Sequence, residues 1–147
     1  MIIAVVDGMG GSIGTQIVLL LRQSLPEEAE IIALGTNAIA TGNMMKAKAT
    51  RGATGENAIA VSINEAEIVM GSLSIVVPNS MMGEVTPSIA TAIASSRARK
   101  ILLPLSNPPI DILGTVKKPL QQLIREAINM VREHYGLPVE GEESQDV

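Results

Sequence analysis

The residues best placed to do chemistry lie near the start of the chain, in the run Asp7-Gly8-Met9-Gly10-Gly11-Ser12-Ile13-Gly14. An apolar, mostly β-branched segment precedes it and an apolar segment with helical spacing follows. Glycine at such a turn permits positive φ and lets a ligand approach the backbone closely. The first N–H groups of a helix lack intrahelical acceptors, and with the helix dipole they favour an anion, phosphate above all. The expected anion-binding backbone is that of Gly8, Gly10, Gly11, Ser12 and Gly14. The competing reading is a tight turn that packs helix on strand and binds nothing.

The spacing Gly8-x-Gly10-x-x-x-Gly14 is a widened form of the dinucleotide fingerprint, whose strict version would place Gly or Ala at Ile13. No Lys-Ser/Thr pair follows Gly11, so this is not a Walker loop. A dinucleotide site also wants an acidic residue after the second strand, for the ribose hydroxyls. Thr36 and Asn37 stand there instead. Either they contact a ribose, or Asn37 is simply a helix N-cap. The cofactor class left open is a nucleotide or dinucleotide.

Ligands of open parallel sheets bind beyond the carboxyl ends of the strands. That edge is expected to hold Asp7, Thr36, Asn37, Glu56, Asn57, Asn79, Ser80, Glu84 and Asn107. Asn79 and Ser80 complete the expected contact set. Turn chemistry alone would also place Asn, Ser and Gly in these loops. Asp7 would repel phosphate unless a cation intervenes, so it either shapes the loop by accepting N–H bonds or joins Glu56 and Glu84 around a hard cation. His134 is the single histidine and falls in the last turn of a helix, where a cation complements the dipole. It is assigned no catalysis. Met44-Met45 and Met81-Met82 read as adaptable packing.

The elements that would position these residues follow from apolar periodicity. Buried strands are expected over residues 2–6, 31–34, 58–61, 68–70 and 101–105, with a possible edge strand over 110–113. Residues 51–57 read as a polar loop. Helices are expected over 15–24, over 38–49 and from the Thr86 N-cap and Pro87 to about Ser96. The clearest helix spans 119–134, with Gly136 where a C-terminal cap belongs. Residues 62–65 have capping-box spacing, and periodicity does not decide 72–77. The whole predicts a single Rossmann-like α/β domain over 1–135. Its sheet is doubly wound, mostly parallel and five- to six-stranded, with helices on both faces.

Composition bounds the rest. The chain has 147 residues, 46% hydrophobic and 18% charged, enough to bury one core. Tyr135 is its one aromatic residue, so no stacking platform for single-stranded nucleic acid exists. Residues 1–135 hold eleven basic and eleven acidic residues, and this neutral body argues against duplex nucleic acid. Residues 136–147 carry Glu140, Glu142, Glu143 and Asp146 with no base, and read as a disordered acidic tail. Without Cys there is no disulfide, thiolate site or thiol nucleophile. No apolar run reaches membrane-spanning length, and the first residues look like a strand rather than a leader, so a cytoplasmic protein with no membrane partner is expected. A mean hydropathy of +0.32 in so short a chain predicts a homodimer.

Four separated motifs resemble a family of short bacterial Rossmann-like proteins known only as a domain of unknown function. They are the run from Asp7 to Gly14, Ala33-Leu34-Gly35-Thr36-Asn37, Arg51-Gly52-Ala53-Thr54-Gly55-Glu56-Asn57-Ala58, and Asn79-Ser80-Met81-Met82-Gly83-Glu84. The resemblance covers nearly the whole chain up to about residue 134. It implies the fold and no activity. The leading functional expectation is therefore binding of a nucleotide or other phosphorylated small molecule at the Gly8–Gly14 turn. A non-catalytic assembly or regulatory scaffold is the second reading, and metal-assisted hydrolysis or transfer by Asp7, Glu56 and Glu84 the third.

Overall fold

Strand β1 (Ile2–Asp7) is the middle of the sheet, and five of its six residues are buried. A computed structural model describes residues 1–105, 109–139 and 141 of the chain. β1 pairs in parallel with β2 (Glu30–Gly35) on one side and β4 (Ile68–Ser72) on the other. β3 (Arg51–Thr54) extends the sheet beyond β2, and β5 (Arg99–Leu103) extends it beyond β4. The order is β3-β2-β1-β4-β5, and all four pairings are parallel. This is a five-stranded, doubly wound Rossmann-like sheet, within the expected class.

The central strands carry apolar side chains on both faces, as a covered parallel sheet requires. Ile3, Val5, Ile31, Ile68 and Met70 share one core with α1 (Ser12–Ser24), α2 (Ala38–Lys46) and α5 (Leu120–His134) through Ile17, Leu21, Met44, Ile124 and Val131. Ala4, Val6, Ile32, Leu34 and Val69 face the other core. There they meet α3 (Glu56–Ser62) and α4 (Pro87–Ser95) through Ile59, Ile89 and Ile93. Two 3-10 turns, Ile63–Glu65 and Leu73–Val76, fill the connections on either side of β4.

The end signals read from sequence act as expected. Asn37 Oδ1 accepts from Ala40 N at 2.9 Å, and Thr86 Oγ1 accepts from Ile89 N at 3.1 Å. Gly136 sits at φ 69 while Gly136 N donates to Glu133 O and Leu137 N donates to Arg132 O. That pair of bonds is a Schellman closure of α5.

Three expectations are corrected. The polar loop at 51–57 contains β3. As an edge strand with three of four residues exposed, it needs no apolar sequence, and Arg51 is held by Glu30 at 2.5 Å and Glu65 at 3.0 Å. The strand expected at 58–61 is instead α3, in which Ile59 is buried while Val61 is 63% exposed. A four-residue apolar run does not reveal its own period. No strand forms at 110–113, where Leu113 is 96% exposed. Asn107 and the acidic residues Glu140, Glu142, Glu143 and Asp146 lie outside the described residues. Among the described residues no helix is long and apolar enough to cross a membrane.

Candidate functional site

Strand order reverses between β1 and β4, so the connections leaving their carboxyl ends diverge to opposite faces and open a crevice. A cleft of about 180 Å³ lies there. Its floor is the turn from Asp7 to Ile13, and its walls are Ser72 at the end of β4 and Ser74 just after it, together with Met81 and Leu105. Larger hollows exist, about 270 Å³ between β5 and α5 and about 440 Å³ between α1 and α5. Both lie away from the glycine turn.

The turn's N–H groups can be accounted for one by one. Gly8 N donates to Asp7 Oδ1 at 2.8 Å, and Met9 N donates to Glu84 Oε1 at 3.0 Å. Gly11 N donates to Gly8 O, Gly14 N to Asp7 Oδ2 at 2.7 Å, and Thr15 N to Gly11 O. The N–H groups of Gly10, Ser12 and Ile13 have no acceptor among the described residues, and all three residues line the cleft. The N-cap of α1 is Gly11, which brings no side-chain acceptor, and no acidic residue stands in the first turn. No side chain of the helix's own first turn offsets the positive end of its dipole.

Asp7 is 6% exposed. Burial pushes its carboxyl above the usual value of 3.8, the N–H bonds from Gly14 and Gly8 pull it back, and the charge of Glu84 adds to the rise. With one N–H on each oxygen, its carboxylate braces the turn. Glu84 is the second brace. Its Oε1 accepts from Thr36 Oγ1 at 2.7 Å, Asn37 Nδ2 at 2.8 Å and Met9 N. The bonds from Thr36 and Met9 are the main causes holding its carboxyl below the usual 4.5. Glu84 thereby ties the segment after the 3-10 turn Leu73–Val76 to the glycine turn and to the end of β2.

The glycines are required by close approach. A Cβ on Gly8 would meet Thr36 Oγ1 at 2.6 Å and Met81 Sδ at 2.8 Å. Gly11 combines φ +73 with Ala40 Cα only 2.7 Å from where its Cβ would stand. Here α2 presses on the turn.

A second hollow of about 470 Å³ adjoins the cleft, sharing Met9 and Met81 with it. Val77, Pro78, Asn79, Ser80, Met82 and Pro109 complete its lining. Its loop is tightly wound: Asn79, Met81 and Met82 adopt φ of 66, 56 and 56, and Gly83 follows at 89. Left-handed backbone is costly for methionine and collects at functional loops.

Of the residues expected from sequence, Gly8, Gly10, Gly11 and Ser12 line the cleft, with Asp7 beside them. Gly14 does not line it; its N–H is spent on Asp7, and its lack of a side chain lets α1 pack on β1. Thr36 and Asn37 line neither hollow, their side chains being engaged by Glu84 and by the cap of α2. Asn79 and Ser80 line the second hollow. The metal trio does not assemble, since no group of three His, Cys, Asp or Glu among the described residues is placed to hold an ion. Glu56 opens α3, after β3, apart from Asp7 and Glu84. His134 lies against Arg99 and Tyr135, away from the cleft.

Sequence reasoning missed Ser72 and Ser74. Both residues are buried, at 5% and 3% exposure, yet no described residue bonds either hydroxyl and neither oxygen is itself sealed from solvent, so both open onto the cleft. Ending the fourth strand at Met70 hid them. β4 runs to Ser72, and the rule that ligands meet strand carboxyl ends would then have flagged that residue.

A solved structure with similar outline is a dodecameric FMN-dependent UbiX-like decarboxylase from Escherichia coli O157:H7. It is 12% identical, with 95% of this chain and 96% of that chain covered and a TM-score of 0.49. No curated protein matches the sequence. The family model described as Domain of unknown function (DUF3842) matches residues 2–136, and the chain belongs to that family.

Proposed function

We propose that the protein binds a nucleotide or another phosphorylated small molecule, with a phosphoryl group in the cleft over the glycine turn. One observation carries this reading. Three N–H groups, of Gly10, Ser12 and Ile13, with no acceptor among the described residues, and the hydroxyls of Ser72 and Ser74, bonded by no described residue, line the same small cleft at the switch point. An anionic oxygen array would accept from several of these donors at once. The Asp7 oxygens are turned to the N–H groups of Gly8 and Gly14. The cleft holds about 180 Å³, less than whole-ligand pockets of roughly 300–1,000 Å³. It therefore suits one end of a ligand.

The test is thermal-shift and calorimetric titration with inorganic phosphate, GMP, ATP, NAD and NADP. A ligand at a hundred times its Kd stabilises the fold by about 2.7 kcal/mol. Ser72→Ala and Ser74→Ala should each weaken a phosphorylated ligand by about tenfold while leaving the unliganded stability within about 0.5 kcal/mol. The absence of any shift with all five probes at millimolar concentration would refute the reading. We further propose that the chain forms a homodimer, supported by the exposed Ile110, Ile112, Leu113 and Val116; a monomer by light scattering at micromolar concentration would overturn that.

A further inference from the structure

We infer that the ligand is a mononucleotide-sized molecule, its phosphoryl end over the glycine turn and its ring in the adjoining hollow between Met9 and Met81, and that Glu84 closes the route a dinucleotide would take. This rests on the phosphoryl-binding reading above.

In a sheet with this strand order, the second half of a dinucleotide runs toward β2, where an acidic residue meets the ribose hydroxyls. That direction is filled. Thr36 and Asn37, at the end of β2, both donate to Glu84 Oε1, as does Met9 N. Asn37 Oδ1 accepts from Ala40 N, and Asn37 Nδ2 also donates to Met9 O at 2.9 Å. The acidic side chain there is Glu84, whose Oε1 already takes these three bonds, and neither Thr36 nor Asn37 lines either hollow.

The opposite direction is open. Met9 and Met81 line both the cleft and the larger hollow, so a ligand leaving the glycine turn passes between them. The larger hollow, about 470 Å³, has room for a ring system and a sugar. The chain has no Phe or Trp, and Tyr135 is remote from this loop, so a flat ring must rest on methionine. Thioethers pack favourably on aromatic rings. The side chains of Asn79 and Ser80 have no hydrogen-bond partner among the described residues, and they supply donors and acceptors for a ring edge.

Titration with inorganic phosphate, AMP, GMP and NAD separates the possibilities. The expected result is a mononucleotide binding at least about tenfold tighter than both inorganic phosphate and NAD. Met81→Ala should then weaken that mononucleotide by about tenfold and leave inorganic phosphate within about twofold. Ser80→Ala, on the same loop, is the second variant if Met81→Ala fails to fold, and it should weaken the mononucleotide alone. NAD binding as tightly as either mononucleotide overturns the inference and leaves the phosphoryl reading standing. So does phosphate binding with no gain for any nucleotide. Failure of all four probes, phosphate included, sinks the phosphoryl reading itself.

Discussion

Replacing Gly14 with alanine sets two physical effects against each other. Within an ordinary helix the change gains up to about 1 kcal/mol, because alanine loses less backbone freedom on folding. At this position the new Cβ would stand 2.7 Å from Met44 Sδ, 2.8 Å from Asp7 Cβ and 3.1 Å from Asp7 Oδ2. Asp7 cannot yield easily, since it ends the central strand and pairs with Gly35. Met44 is fully buried. The helix must lift by some tenths of an ångström, which also stretches the 2.7 Å bond from Gly14 N to Asp7 Oδ2. Overpacking of this kind costs about 1–3 kcal/mol, and the lost charge-assisted bond adds to it. The net expectation is a loss of about 1–2 kcal/mol, or roughly 3–8 °C in Tm for a domain of this size. Gly10→Ala is the internal control, because its Cβ would meet nothing within 4 Å; it should fall within about 0.5 kcal/mol of the parent. Urea melts followed by circular dichroism measure both. A Gly14→Ala protein as stable as the parent would show that the contact between α1 and β1 does not govern this turn.

Tyr135 is the only tyrosine, so its phenolate absorbance titrates without interference; burial first, then the charge and hydrogen bond of Glu67, push its pKa up to about 12, and a midpoint near the usual 10.0 would refute that environment. Glu84 has a folded pKa below 4.5, so its ionised form adds stability that is full above that value and lost as pH falls through the folded pKa. Glu84→Gln should therefore destabilise most near neutral pH, with the difference shrinking on acidification; a difference that grows toward acid contradicts the network. Asp7 has the opposite sign: its folded pKa lies above 3.8, so ionisation costs stability as pH rises through that window, and Asp7→Asn should remove this slope from the stability–pH curve. Gly136→Ala forces a side chain into left-handed backbone at φ 69 and should cost about 1–2 kcal/mol in a urea melt.

The turn after β1 was legible because several local signals agreed. Glycines stood between an apolar run and a helical pattern, and no distant residue was needed to interpret them. The caps at Asn37, Thr86 and Gly136 were legible for the same reason, since each bonds within its own few residues. The exchange of strand and helix across 51–62 was not. β3 draws its order from pairing with β2 at the sheet edge, so its own polar sequence carries no strand period. Ser72 and Ser74 were hidden because strand pairing carries β4 to Ser72, past the end of its clear apolar run.

What the chain's order of residues determined by itself was the parallel α/β class, the central apolar strands and the glycine turn between the first strand and the first helix, all properties of neighbours in sequence. What only the tertiary structure decided was which polar groups remain free. Glu84 reaches across 48 and 47 residues to occupy Thr36 and Asn37, while Asp7 spends the N–H of Gly14. Hydrogen bonds between residues so far apart depend on which loops the fold brings together, and that is settled by packing rather than by local spacing.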